Sequence, residues 1–292
     1  MGNKKYITLV ISIIVSLLTG CTKTGNLDKV YLTSIEDVFI TEDVFINADI
    51  EEQLVFDNHG ITIKAVSLNM NADEGPTLVF SGTKTVDTEH IVKLKYCSVN
   101  NIMIEPKFEM RLNSIDEITA EAVFPKKLLL TADIKTFSSI SFIIHIADAS
   151  NNNFINSNQI NIITTMSGEY AQKHEFPGAP IIESNGVTIM IGKKADSEAS
   201  LSKQIYIYID NTLSEDIVVE TKETSINGIE MDPMFFETVC AGKKSWACLS
   251  FRDSEIVENG IVNIDELIIS FRVFNIFGPI IDSDCSRVKF SV

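Results

Sequence analysis

The sequence predicts an all-β chain built as two consecutive sandwiches, and three observations predict it. An internal repeat divides the chain: Gly60-Ile61-Thr62-Ile63 returns as Gly186-Val187-Thr188-Ile189, 126 residues later. Apolar residues alternate with polar ones, as in Ile205, Ile207 and Ile209, or in Val92, Leu94 and Tyr96 around Lys93 and Lys95; that is the period of a half-buried antiparallel strand. Turn signals interrupt these runs often enough for several short strands in each half, a density that suits two stacked sheets.

Residues 1–20 read as an export signal. Lys4 and Lys5 form a positive start, residues 6–18 an apolar run, and Thr19 and Gly20 the small residues before a cleavage point. The run is shorter than the ~20 residues that span a bilayer. Leu18-Thr19-Gly20-Cys21 resembles the lipobox of bacterial lipoprotein signal peptides. The resemblance implies diacylglycerol on the Cys21 thiol and cleavage between Gly20 and Cys21. Residues 21–50 would then hold the lipidated cysteine, a small polar tether and a lead-in strand. Within that segment Glu36-Asp37-Val38-Phe39-Ile40 recurs as Glu42-Asp43-Val44-Phe45-Ile46. The spacing of six is even and puts both copies on one face of a strand; an edge strand or a short acidic motif would fit.

The first sandwich is expected over 51–166 and the second over 181–292, joined by a linker at 167–180 that carries Gly168, Pro177, Gly178 and Pro180. Ser98-Val99-Asn100-Asn101-Ile102 matches Ser225-Ile226-Asn227-Gly228-Ile229, an offset of 127 that also carries Pro106 to Pro233, Phe108 to Phe235 and Phe124 to Phe251. Asn227-Gly228 favours a type I′ hairpin because both residues accept positive φ; Asn100-Asn101 does the same less comfortably. Ser141-Phe142 is aligned with Ser270-Phe271, and residues 154–158 with 280–284. Residues 116–122 and 264–269 suit either a helical turn or a strand.

In the second copy, Gly-Val-Thr-Ile, Asp210-Asn211-Thr212, Ser-Ile-Asn-Gly, Cys-Ala-Gly-Lys-Lys and Ser-Phe-Arg-Val-Phe follow in order. This order resembles the immunoglobulin-like domains carried in tandem by exported lipoproteins of low-GC Gram-positive bacteria. The resemblance spans about residues 52–292 and implies a surface location without defined catalytic residues. The first copy departs from it where Asn113-Ser114-Ile115-Asp116-Glu117 replaces the Ala-Gly-Lys-Lys turn and where Asn101 replaces glycine.

The formal charge is −16, and loss of Lys4 and Lys5 makes the exported part more acidic still. Nucleic acid is therefore excluded as a partner, and attachment to a membrane should depend on Cys21 rather than on a basic patch. Of the remaining cysteines, Cys97, Cys240, Cys248 and Cys285, the candidate pair is Cys240 with Cys248, which flank the Ala241-Gly242-Lys243-Lys244 turn. The alternative is four small buried hydrophobes. No Cys/His cluster has zinc-ligand spacing, and no metal or other cofactor is expected.

Chemistry is hard to find. His59, His90, His145 and His174 have no counterpart in the other repeat, and HExxH, Gly-x-Ser-x-Gly and phosphate loops are missing. Asp282-Ser283-Asp284 with Asp210, or Asp57-Asn58, offers oxygen ligands but no calcium-loop pattern. Lys243, Lys244 and Trp246 form one cluster with the look of a recognition tip; otherwise Trp246 is a core aromatic and the lysines a solvated turn. The expectation is a non-enzymatic lipoprotein, held by Cys21 on the outer face of the cell membrane. It would bind an unknown envelope or extracellular protein or glycan, or act as a spacer. The alternative is a glycan-acting envelope hydrolase with an acidic pair.

Overall fold

The computed structural model describes residues 30–33, 45–148, 154–173, 180–195 and 204–290, of which 30–33 and 193–195 are described by backbone alone. Gly20, Cys21, His174, Pro177, Gly178 and all of the duplicated pentapeptide except Phe45 and Ile46 lie outside these residues.

A single strand, β1 (Val30–Thr33), comes first. The first series then runs β2 (Gln53–Asn58), β3 (Ile61–Asn69), β4 (Thr77–Lys84), β5 (His90–Val99), β6 (Ile102–Met103), β7 (Met110–Leu112), β8 (Ile118–Val123), α1 (Lys126–Thr131), β9 (Ser139–Asp148), β10 (Phe154–Asn156) and β11 (Ile160–Ile163). The second series repeats that order as β12 (Ile182–Ser184), β13 (Val187–Ala195), β14 (Gln204–Asn211), β15 (Ile217–Ile226), β16 (Ile229–Glu230), β17 (Phe236–Val239), β18 (Lys244–Ser250), α2 (Asp253–Glu258), β19 (Glu266–Asn275), β20 (Gly278–Asp282) and β21 (Ser286–Phe290).

Strand order makes each series an immunoglobulin-like sandwich. One sheet of the first is β2-β3-β4-β8, and the other places β10 and β11 beside β9, then β5, then β6 and β7. Apart from β2, these are the A-B-E and G-F-C-C′ sheets of that plan. In the second, β12-β13-β14-β18 faces β20 and β21, β19, β15, then β16 and β17. Each pair of sheets closes on its own core. Ile63, Leu78, Phe80, Phe124, Phe137 and Phe142 lie at the centre of the first, and Ile189, Ile207, Ile209, Leu249, Phe271 and Val273 at the centre of the second.

The repeat extends to individual hydrogen bonds. Asn100 Oδ1 accepts the N–H groups of Ser138 and Ser139, and its Nδ2 donates to the Thr136 carbonyl. Asn227 does the same, 127 residues on, with Asp265, Glu266 and Asn263. Ser157 Oγ accepts the Ile144 N–H, as Ser283 Oγ accepts the Phe271 N–H. Positive φ values at Asn100 and Asn101 (52° and 67°) and at Asn227 and Gly228 (52° and 82°) fit type I′ hairpin turns in both copies.

Two expectations need correction. Strand pairing sets Ser141 opposite Ser98 and Ile268 opposite Ser225, so Phe142 corresponds to Ile269 and not to Phe271. The sequence alignment slipped by two, which a period-2 pattern permits because the same face stays inward. Tyr96 does not continue the buried series of Val92 and Leu94: it sits at φ 54° in a bulge, 45 % exposed, and Cys97 turns inward. The short helices α1 and α2 went unread because six residues bury one side chain each, Leu129 and Ile256, too few to show a period. The two open segments resolve as strands, β8 and β19.

Parallel pairing of β6 with β18 is the feature that local sequence could not supply. Ile102 aligns with Lys244 and Met103 with Ser245, so one sheet of each sandwich joins into a single ten-stranded sheet. β1 pairs in parallel with β21, on the edge of the second sandwich rather than the first.

Candidate functional site

The junction between the copies gathers most of the residues singled out from sequence. The Lys244 N–H donates to the Asn101 carbonyl at 2.9 Å. Lys243 Nζ donates to Asn101 Oδ1 at 2.9 Å and to Ser141 Oγ at 3.1 Å. Half-burial there disfavours the ammonium and lowers the Lys243 pKa. The Lys244 ammonium pairs with Asp210 on the adjacent strand β14.

Trp246 belongs to neither sandwich interior. Ser245, Ala247 and Leu249 point into the second core, so Trp246 points out of that sheet; there it packs against the cluster of the first sandwich and lies 5.5 Å, centroid to centroid, from Tyr208. Tyr206 and Tyr208 share that outer face, and Tyr208 is only 2 % exposed. Gly192 makes room for the indole: a Cβ there would fall 2.5 Å from its Cζ3. Lys243, Lys244 and Trp246 are thus occupied within the chain, as a clasp between the two repeats.

Cys240 and Cys248 stand as free thiols, as do Cys97 and Cys285. Cys248 lies on the outward face of β18 with its sulfur near Ser250 Oγ. Cys240 sits where β17 turns toward β18, and its N–H donates to Met103 Sδ of the other copy. Burial, with Asp216 nearby, pushes the Cys240 thiol up to about 11. The wide turn between them holds Gly242 against the Leu213 carbonyl and leaves the two sulfurs on separate tasks.

Beside the clasp is a cleft of about 420 Å³ between the copies. Lys95, Tyr96, Cys97, Met103, Ile104 and Glu105 line it from the first copy, and Glu237 and Thr238 from the second. Loss of hydration raises the pKa of both carboxyls, while the Ser245 hydroxyl, donating to Glu237 Oε1 at 2.5 Å, partly opposes the rise at Glu237. Burial, with Glu105 nearby, raises the Cys97 thiol well above its ordinary value, so that it stays protonated and a poor nucleophile. Tyr96 projects at the cleft edge from left-handed backbone, a strained conformation of the kind found at ligand sites. Sequence carried no signal for this cleft, because Glu105 and Glu237 come from different copies.

Other candidates lie apart. His90 Nδ1 bonds the Thr88 carbonyl, His145 Nδ1 bonds Asn156 Oδ1, and His59 forms a tight turn with Gly60. Asp282 pairs with Lys222, Asp210 with Lys244, and Asp57 accepts from Thr62. Among the described residues no group of His, Cys, Asp or Glu could hold a metal ion, and no helix is long and apolar enough to cross a membrane.

No protein-family model matches the chain, and no curated protein matches it. Among solved structures it is similar to the YadV chaperone at 9 % identity and a TM-score of 0.24, over 78 % of this chain and 99 % of that one. A Salmonella enterica SafA pilin in complex with the SafB chaperone gives 10 % identity and 0.23, over 80 % and 98 %. A protein of unknown function from Porphyromonas gingivalis W83 gives 9 % and 0.21, over 80 % and 100 %. At such TM-scores the functional reading takes nothing from them.

Proposed function

We propose that the chain is a non-catalytic module of the cell envelope, lipid-anchored through Cys21, that binds an envelope or extracellular protein or glycan in the cleft between its sandwiches. The observation that carries this reading is a cleft shared by two copies that strand pairing holds together. Binding sites favour such seams because two rigid walls position side chains without a flexible loop. Tyr96 offers an exposed aromatic anchor at its edge, and Lys95, Glu105 and Thr238 offer polar contacts. A pull-down with residues 22–292 against the envelope and secreted fractions of its own cell, with Y96A alongside, tests it. A protein or glycan enriched by the parent chain and lost with Y96A supports the reading; equal capture by both overturns the cleft as the site.

One observation favours a second reading, a hydrolase. Two carboxyls with raised pKa in one cleft are what acid catalysis requires. Against it, no histidine lines the cleft and its thiol is held protonated, so proton transfer there would fall to the two carboxyls beside Lys95 and Tyr96. Turnover of wall glycan by purified chain, abolished by E105Q and by E237Q, would establish the hydrolase and displace the first reading.

A further inference from the structure

The direction of β1 says which end of the molecule faces the lipid. Val30 aligns with Arg287 and Thr33 with Phe290 in the parallel pair with β21. β21 is antiparallel to β19, with Arg287 opposite Ile268 and Lys289 opposite Glu266. The N-terminal end of β1 therefore points toward the far end of β19, where Asn275 and Gly278 close the hairpin to β20.

That hairpin tip is apolar and held in place. Ile276 is 85 % exposed and Phe277 77 % exposed, the two most exposed large hydrophobic side chains among the described residues. Asn275 fixes them: its Oδ1 accepts the Phe277 N–H at 2.9 Å, and its Nδ2 donates to Glu215 Oε2 at 2.5 Å. A rigid turn presenting two bulky apolar side chains to water is costly without something to cover them.

Chain length decides what that is. From Ile268, level with Val30, to Ile276 is a climb of eight residues, about 26 Å at strand rise. From Val30 back to Cys21 is nine residues, at most about 30 Å of chain. A lipid on Cys21 can thus reach the level of the tip but little beyond it.

We propose that Ile276 and Phe277 insert into the bilayer surface in which Cys21 is anchored, so that the second sandwich, not the first, stands next to the membrane on its β19–β20 hairpin. The inference rests on lipidation of Cys21, the anchor in the function proposed above. Glu215 is hydrogen-bonded to Asn275 at the base of the tip, and Asp282 lies on the same hairpin. The chain's net charge of −16 makes neutral headgroups a better match than anionic ones.

The test uses the full lipidated chain on phosphatidylcholine vesicles with brominated acyl chains, which quench tryptophan on contact. Phe277→Trp is compared with Val262→Trp, an equally exposed site near Asn263, whose carbonyl bonds Asn227 at the opposite end of the sandwich. Each is read as the emission added above that of Trp246. The proposal expects most of the F277W emission to be lost on brominated vesicles and that of V262W to be retained. A chain that floats with the vesicles while F277W stays bright, or while V262W is the one quenched, overturns the proposal and leaves the anchor standing. A chain whose mass shows no diacylglycerol overturns both.

Discussion

Removing the Asn100 side chain should cost more than removing its counterpart in the second copy. Asn100 is 7 % exposed, and it satisfies the Thr136 carbonyl and the N–H groups of Ser138 and Ser139. Each neutral bond contributes about 1 kcal/mol net, so the three bonds to backbone groups give about 3 kcal/mol; the further bonds with Ser138 Oγ and Gln172 Oε1 are to part-exposed side chains that water can satisfy instead. Its φ of 52° adds about 1 kcal/mol for any residue with a Cβ that cannot compensate as asparagine does. N100A should therefore lose about 4 kcal/mol, a large part of the 5–15 kcal/mol that stabilises a typical domain. N100G, free to adopt positive φ, should lose only the 3 kcal/mol of bonds. Asn227 makes the equivalent three bonds in an exposed setting, where water replaces them more readily, and N227A should cost about 1–2 kcal/mol. Urea unfolding followed by Trp246 emission and far-ultraviolet circular dichroism measures all three. Equal losses for N100A and N100G would refute the backbone part, and a loss for N227A as large as that for N100A would refute the argument from burial.

Three further outcomes follow from the junction. Glu237 has a raised pKa in the folded chain, so the folded state holds its proton more tightly than the unfolded state. That favours folding below the unfolded carboxylate pKa near 4.3 and is lost as pH rises through the higher folded value. E237Q should thus raise the melting temperature at pH 7 and leave it unchanged near pH 4, and a gain of the same size at both would contradict the sign. In G192A the new Cβ meets Trp246 at 2.5 Å and the Tyr206 carbonyl at 2.9 Å; overpacking of this kind costs about 1–3 kcal/mol. Trp246 emission should shift to the red, and an unshifted spectrum would mean that the indole is not wedged there. The four thiols should survive export unpaired, with Cys97 titrating with Ellman's reagent only after unfolding; a native mass two protons short would restore the Cys240–Cys248 bond.

Much of the fold was readable because its signals are local. Gly60 and Gly186 mark equivalent turns, Ile205 to Ile209 alternate by face, and Asn227-Gly228 selects a hairpin from its own backbone preferences. The junction was not readable because its partners lie far apart in the chain. Lys243 reaches Asn101 across 142 residues, and nothing in Ala-Gly-Lys-Lys distinguishes a turn bathed in water from one pressed against a second domain. The same holds for Trp246, whose strand position makes it an outward residue; only the neighbouring copy turns that outward face into a partly buried one.

Where the two copies differ, the differences explain why the contact between them occurs once. A head-to-tail contact between like units repeats into a filament unless something stops it. The first copy has Asn101 where the second has Gly228, and Ser141 where pairing puts Ile268. Both supply oxygen to the Lys243 ammonium. Asn101 accepts a φ of 67° that glycine would adopt without strain, so its side-chain oxygen comes at a backbone cost of about 1 kcal/mol. At the other end of the contact, the first copy has Asp116 at the position equivalent to Lys243. At these positions the second copy therefore has no side-chain oxygen to offer another lysine, and the first has no lysine to offer another copy. Residues 22–292 should sediment with the mass of one chain at every concentration, and a ladder of heavier species would show that these three positions do not limit the contact.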